Sequence, residues 1–174
     1  MYLVTVYFDE RTNHVLQNYI DVVAKQSGNP FMIQHKVPPH MTIAQVETRH
    51  EERLVECVDG LRGSLRSGDV DFVSMGVFSP YVLYAAGVYN EALHGLMADV
   101  HRALDRLPET NTSVRYRPFS FVPHVTLGKT LEETQMIAAI EGMRRRFVPF
   151  RAVMTEIGLS KVHPYTDLLR YKLV

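Results

Sequence analysis

The chain has 174 residues, 46% of them hydrophobic and 22% charged, the composition of one globular domain rather than of a disordered, collagen-like or coiled-coil chain. Its 19 basic and 19 acidic residues cancel, which excludes a global basic field for gripping long nucleic acid and leaves only local patches. The single cysteine, Cys57, excludes a disulfide framework and a cysteine-built zinc or iron–sulfur centre.

Residues 2–8 are rich in β-branched and aromatic types and predict a strand. They turn acidic at Asp9-Glu10 and lack a basic leader, so a signal peptide is not expected. Residues 13–27 carry apolar residues at near-helical spacing, with Thr12 or Asn13 as cap and Gly28 as stop. A strand follows over 41–46, then an amphipathic helix over 49–65. Two extended stretches, 70–78 and 81–89, meet at Ser79-Pro80. Asn90 can cap a helix reaching about Leu107. A strand is expected over 119–127 and a helix over 131–147, whose last turn holds Arg144, Arg145 and Arg146 and so suits the helix dipole. Two strands, about 148–159 and 168–174, close the chain. No stretch reaches the roughly 18–20 apolar residues that span a bilayer, and a cytoplasmic location without membrane contact is the expectation.

The order β-α-β-α-β occurs twice. The repeat is visible in residues as well as in pattern. Pro39-His40-Met41-Thr42-Ile43 returns 84 residues later as Pro123-His124-Val125-Thr126-Leu127. None of the other six histidines has threonine two residues on. Strand side chains alternate between faces. His40 and Thr42 therefore share one face, and Met41 and Ile43 the other. The same holds for His124 and Thr126 against Val125 and Leu127. If the halves are related by a pseudo-two-fold, two His/Thr pairs meet across one cleft.

Such a cleft suits phosphodiester cleavage. One neutral imidazole takes a proton from water while the other, protonated, gives a proton to the leaving ribose oxygen. The threonine hydroxyls can hold the non-bridging oxygens. The scheme requires no metal or other cofactor. The repeat is symmetric, so either histidine can be the base. Two other readings use the same residues. The cleft can hold a nucleotide or RNA end without turnover, or His40 and His124 can serve as zinc ligands, although no carboxylate stands at ligand spacing.

The paired motifs and duplicated halves resemble the two-histidine (2H) phosphoesterase superfamily, which includes proteins named 2′,5′ RNA ligases and cyclic nucleotide phosphodiesterases. The resemblance spans essentially the whole chain. It implies an α+β, bilobal fold: one domain over 1–174, with two pseudo-symmetric β-α-β-α-β halves (around 1–80 and 81–174) whose antiparallel sheets form a central cleft. It implies metal-independent chemistry at 2′,3′-cyclic phosphates or 2′,5′ linkages of nucleotides or RNA ends, with His40, Thr42, His124 and Thr126 in the catalytic roles. No protein partner is evident.

Further candidates are weaker. Lys129, just beyond the second motif, can touch phosphate or sit solvated at a strand end. In the loop between the last two strands, Tyr165 can stack on a base and Lys161 or His163 can meet a phosphate; a plain hairpin loop is the alternative. Tyr7 and Tyr84 can face the cleft, though sheet packing suits them equally. Arg115, Arg117 and Arg144 to Arg146 are candidate nucleic-acid contacts or solvated charges. Cys57 shares a helical stripe with Leu54 and Leu61 and reads as a buried, inert thiol. His94 and His101 are expected to be surface or half-buried.

Overall fold

The computed structural model describes residues 1–162 and 165–174. The elements are β1 (Tyr2–Phe8), α1 (Glu10–Ser27), α2 (Phe31–Gln34), β2 (Met41–Glu47), α3 (Glu51–Asp59), β3 (Gly68–Phe78), β4 (Val82–Gly87) and α4 (Glu91–Leu104). Then come β5 (Asn111–Thr112), a 3-10 turn (Val114–Tyr116), β6 (His124–Gly128), α5 (Glu133–Met143), β7 (Phe150–Lys161) and β8 (Thr166–Lys172). No helix among the described residues is long and apolar enough to cross a membrane.

Boundaries shift where a local bond outcompetes the apolar pattern. Helix α1 starts at Glu10 because Asp9, not Thr12 or Asn13, is the cap: its carboxylate accepts from the Thr12 N–H at 3.0 Å. Helix α3 stops at Asp59, and glycines follow at 60 and 63, the latter with φ of 77°. Leu65 still reaches the core, through a turn rather than a helix. The strand expected from residue 119 begins only at His124. Pro118 and Pro123 flank Phe119, whose φ is positive at 66°, so this segment cannot extend a ladder. Helix α5 spans only Glu133–Met143 and is fixed at its start by a capping box between Glu132 and Gln135. Helix α2 and strand β5 are too short for any periodicity to announce.

The fold is α+β with antiparallel pairing throughout, as expected. The strand order is β5-β2-β1-β7-β3-β4-β6, and β8 also pairs with β7. Strand β7 stands between β1 and β3 in one eight-stranded sheet. Residues 150–154 pair with β3, residues 156–161 pair with β8, and 154–161 pair with β1 on the other edge. The hydrogen-bonded network is therefore continuous.

The helices cross between the halves. Helix α1, from the first half, packs along α5 and against β6 of the second. The approach is close: a Cβ at Gly128 on β6 would stand 2.7 Å from Val23 of α1. Helix α4, from the second half, packs on α3, β3 and β2. It is pinned to β2 by His101, whose Nε2 lies 3.1 Å from the Ile43 carbonyl. A carbonyl only accepts, so Nε2 carries the proton there. His101 is thus a core group, 3% exposed, and not the surface or half-buried histidine its helix position predicts. Each His/Thr strand is backed by a helix of the other half, which fixes the two strands relative to each other.

Candidate active site

The alternation on β2 and β6 is as the motif requires. Met41, Ile43, Val125 and Leu127 are fully buried in the helix-covered core. His40, His124 and Thr126 are half-buried and Thr42 is 7% exposed, on the other side. Both prolines, Pro39 and Pro123, are buried and lead the chain into the two strands in the same way.

The imidazoles are held alike. His40 Nδ1 is 2.8 Å from the Pro38 carbonyl, and His124 Nδ1 is 2.8 Å from the Val122 carbonyl, each two residues back. A carbonyl cannot donate, so each Nδ1 is protonated. Each Nε2 is left as the atom available for proton transfer. Burial pushes both pKa values below the ordinary histidine value; the carbonyl bonds oppose this, and nearby positive charge adds to it. For His40 that charge is Lys129, and for His124 it is a protonated His40. A charge on the His40 imidazole thus bears on His124.

His124 borders a cleft of about 430 Å³, lined also by Thr126, Lys129, Arg115, Tyr116, Phe78 and Phe121. Phe78 stacks on Tyr84 with centroids 4.2 Å apart and meets His124 edge-on at 4.8 Å. Tyr84 and Phe121 lie 5.5 and 6.0 Å from the same imidazole. Around His40 the setting differs. Tyr7 lies 6.4 Å away, under the Arg170 guanidinium, which sits 3.7 Å above its ring and pairs with Glu156. Across the sheet, Thr42 faces Thr5 whereas Thr126 faces Tyr84. The pseudo-two-fold therefore holds for the motif and breaks around it.

The remaining candidates divide. Lys129 is in the cleft, as is Arg115. Tyr165 lies near Tyr7, its hydroxyl donating to Asp167 at 2.7 Å; burial, then that bond, pushes its pKa above the ordinary phenol value. Lys161 is not brought to the site. It stands opposite Tyr2, on the helix-covered face of the sheet, and pairs with Glu51 of α3 at 2.6 Å. His163 lies outside the described residues. Arg117 is committed to Asp105 through two bonds of 2.7 Å, and Arg144 to Glu141. Cys57 is half-buried, and burial pushes its thiol pKa up, in keeping with an inert thiol. Among the described residues no three His, Cys, Asp or Glu side chains converge as a ligand set.

Phe78, Tyr116, Phe121 and Arg170 were not legible as site residues. Phe78, Tyr116 and Phe121 reach the cleft through strand pairing and a turn, Arg170 reaches Tyr7 from β8, and none carries a motif of its own.

Solved structures share this architecture over nearly the whole chain. Escherichia coli LigT complexed with NADP+ superposes with a TM-score of 0.63 at 18% identity, covering 99% of this chain and 96% of that one. A protein of Thermus thermophilus gives 0.62 at 16% identity, with coverages of 99% and 97%. Kluyveromyces marxianus Usb1 gives 0.51 at 15% identity, covering 96% of each chain. No curated protein matches by sequence. Residues 16–165 match the 2′-5′ RNA ligase superfamily. That match takes in both Pro-His-x-Thr motifs and most of the chain, and with the shared fold it makes this protein a member of the 2′-5′ RNA ligase superfamily of 2H phosphoesterases.

Proposed function

We propose that the protein is a phosphodiesterase that opens a 2′,3′-cyclic phosphate or cleaves a 2′,5′ linkage at a nucleotide or RNA end. The observation that carries this reading is the matched anchoring of His40 and His124, each with Nδ1 on a carbonyl and Nε2 without a hydrogen-bond partner among the described residues. Relatives support the ligand class: LigT has been crystallised with ATP and with 3′-AMP.

In this reading one neutral Nε2 accepts a proton from water as its oxygen attacks phosphorus. The other imidazolium donates its proton to the leaving ribose oxygen as the P–O bond breaks. The Thr42 and Thr126 hydroxyls donate to the non-bridging oxygens, where charge accumulates. Repulsion between the rings disfavours a doubly protonated pair, so the singly protonated pair that acid–base catalysis needs is the favoured charged form. The aromatic wall of Phe78, Tyr116 and Phe121 offers faces for a base, and Lys129 offers charge to the phosphate.

The test is hydrolysis of 2′,3′-cyclic AMP by wild type, His40→Ala and His124→Ala, with thermal melts alongside. Each substitution should lower the rate about 10²–10⁴-fold, the usual contribution of one general acid or base, with melting retained. Wild-type binding without product would instead identify a nucleotide-binding protein.

A further inference from the structure

Among the described residues two buried side-chain polar atoms have no hydrogen-bond partner, Thr5 Oγ1 and His101 Nδ1. Their side chains meet β2 at neighbouring residues. Thr5 stands opposite Thr42 in the β1–β2 ladder, and His101 Nε2 bonds the Ile43 carbonyl. The register slips between Val4 and Thr5, which leaves Ile43 opposite no residue of β1. A bulge of this kind re-aims the side chains beside it. The His101 bond holds this one from the core side. The backbone at Thr42 is therefore fixed, and its hydroxyl is left to turn about the side-chain torsions.

Thr5 points the same way as Thr42. Its strand neighbours Val4 and Val6 belong to the core, as do Met41 and Ile43 beside Thr42. Thr5 is 2% exposed, and its hydroxyl lies toward Gly158, its partner on β7. A Cβ at Gly158 would stand 3.7 Å from Thr5 Oγ1 and 3.0 Å from Tyr7 Cε2. The glycine leaves room there for either the hydroxyl or the methyl group of Thr5. A buried hydroxyl without a partner carries a cost that a bonded one does not. Thr5 is therefore stabilised by any rotation that brings its O–H onto an acceptor. Directly opposite residues of an antiparallel ladder have Cβ atoms about 4.5–5.5 Å apart, and threonine pairs there bond hydroxyl to hydroxyl. Across the ladder, that acceptor is Thr42 Oγ1.

We propose that Thr5 is a positioning residue for Thr42: its O–H donates to Thr42 Oγ1, which turns the Thr42 O–H onto a non-bridging phosphate oxygen. The inference rests on the phosphodiesterase reading, in which Thr42 is such a donor, and adds a residue that has no part in that scheme. A hydroxyl has one donor and two acceptor lone pairs. Thr42 can therefore accept from Thr5 and donate to phosphate at once, and each bond polarises the other. In the free chain the Thr5 hydroxyl is unpartnered. The relay closes when phosphate takes the Thr42 proton donor, so the cost of the orphan hydroxyl is relieved in the complex alone.

Valine keeps the shape of Thr5 and removes its hydroxyl. Hydrolysis of 2′,3′-cyclic AMP is compared in wild type, Thr5→Val, Thr42→Val and the double variant, with thermal melts alongside. Thr5→Val should lower kcat about three- to tenfold, the scale of one hydrogen bond. Melting should hold or rise, because an unpartnered polar atom leaves the interior. Thr5→Ser should restore the rate. In the Thr42→Val background, Thr5→Val should cost nothing more. Equal losses in both backgrounds, no loss in either, or a loss with lowered melting that serine does not restore overturns the proposal. Titration of the same four proteins with 3′-AMP separates it from the hydrolase reading. Thr5→Val should weaken binding only where Thr42 is present. If wild type binds without cleaving and that coupling appears, the relay stands and the hydrolase reading falls. If wild type cleaves and neither arm shows coupling, the relay falls and the hydrolase reading stands. A wild type that neither cleaves nor binds overturns both.

Discussion

Tyr84 lies flat over Gly76, its cross-strand partner, so closely that a Cβ at Gly76 would come within 2.3 Å of Tyr84 Cζ and 2.4 Å of its hydroxyl oxygen. The ring this glycine admits is stacked on Phe78 and set edge-on to His124. Gly76→Ala must therefore lift Tyr84. The expected cost is about 1–3 kcal/mol for overpacking, with a fall in kcat as the His124 wall is disturbed. Urea unfolding and steady-state hydrolysis of a cyclic nucleotide check both. An unchanged kcat in a variant whose stability has dropped would show that Tyr84 packs the sheet without setting His124.

The motif was legible in the sequence because its meaning is local. Proline before histidine, with histidine and threonine two apart, fixes the start of the strand and its face together, and repetition supplied the second half of the site. What was not legible depends on register. Lys161 and Tyr165 are four residues apart, yet β7 pairing sets Lys161 opposite Tyr2 and so on the helix-covered face. Arg170 reaches Tyr7 only because β8 and β1 lie on opposite edges of β7. The exchange of α1 and α4 between halves was equally hidden, since apolar spacing shows that a helix has a buried face and not what covers it.

Stability should fall with acid earlier than carboxylate titration explains. His40, His124 and His101 all have pKa values lowered in the fold, chiefly by burial. Below about pH 6.5 the unfolded chain binds protons at these sites that the folded chain resists. Their contribution is therefore complete above that pH and is lost as pH falls from it toward the depressed folded values. Asp105, held below the ordinary carboxylate value by its hydrogen bonds to Arg117, acts only at lower pH. Unfolding free energies measured between pH 7.5 and 5 should decline, and His101→Gln should make the decline shallower. A flat profile in wild type would mean that these rings are as hydrated in the fold as outside it.

The two threonines are expected to act on the reaction more than on the fold. Thr42 is buried opposite Thr5, and Thr126 borders the aromatic cleft opposite Tyr84. Valine keeps the shape of each and removes the donor. Thr42→Val and Thr126→Val should each lower kcat about 10²-fold, the scale of one lost oxyanion donor, while serine restores most of it. If Thr42→Val lowers melting temperature and spares kcat, its hydroxyl belongs to the sheet and not to the phosphate.

Lys129 and Lys161 provide the sharpest contrast, because both were candidates for phosphate contact and the fold separates them. Lys129 lines the cleft with His124 and Thr126, and its charge helps hold the His40 pKa down. Lys129→Met should reduce kcat/KM about tenfold through loss of phosphate attraction. It should also let the His40 pKa rise, moving to higher pH whichever limb of the kcat/KM profile His40 sets. Lys161 is fixed to Glu51, beneath the Tyr2 hydroxyl, on the other face of the sheet. Both partners of that ion pair are more than a third exposed, so solvent screens it strongly. Lys161→Met should shift melting only slightly and leave kcat/KM and its pH limbs in place. A rate loss in Lys161→Met matching that of Lys129→Met would require a substrate reaching around the sheet edge, and would contradict the assignment of chemistry to the His40–His124 face.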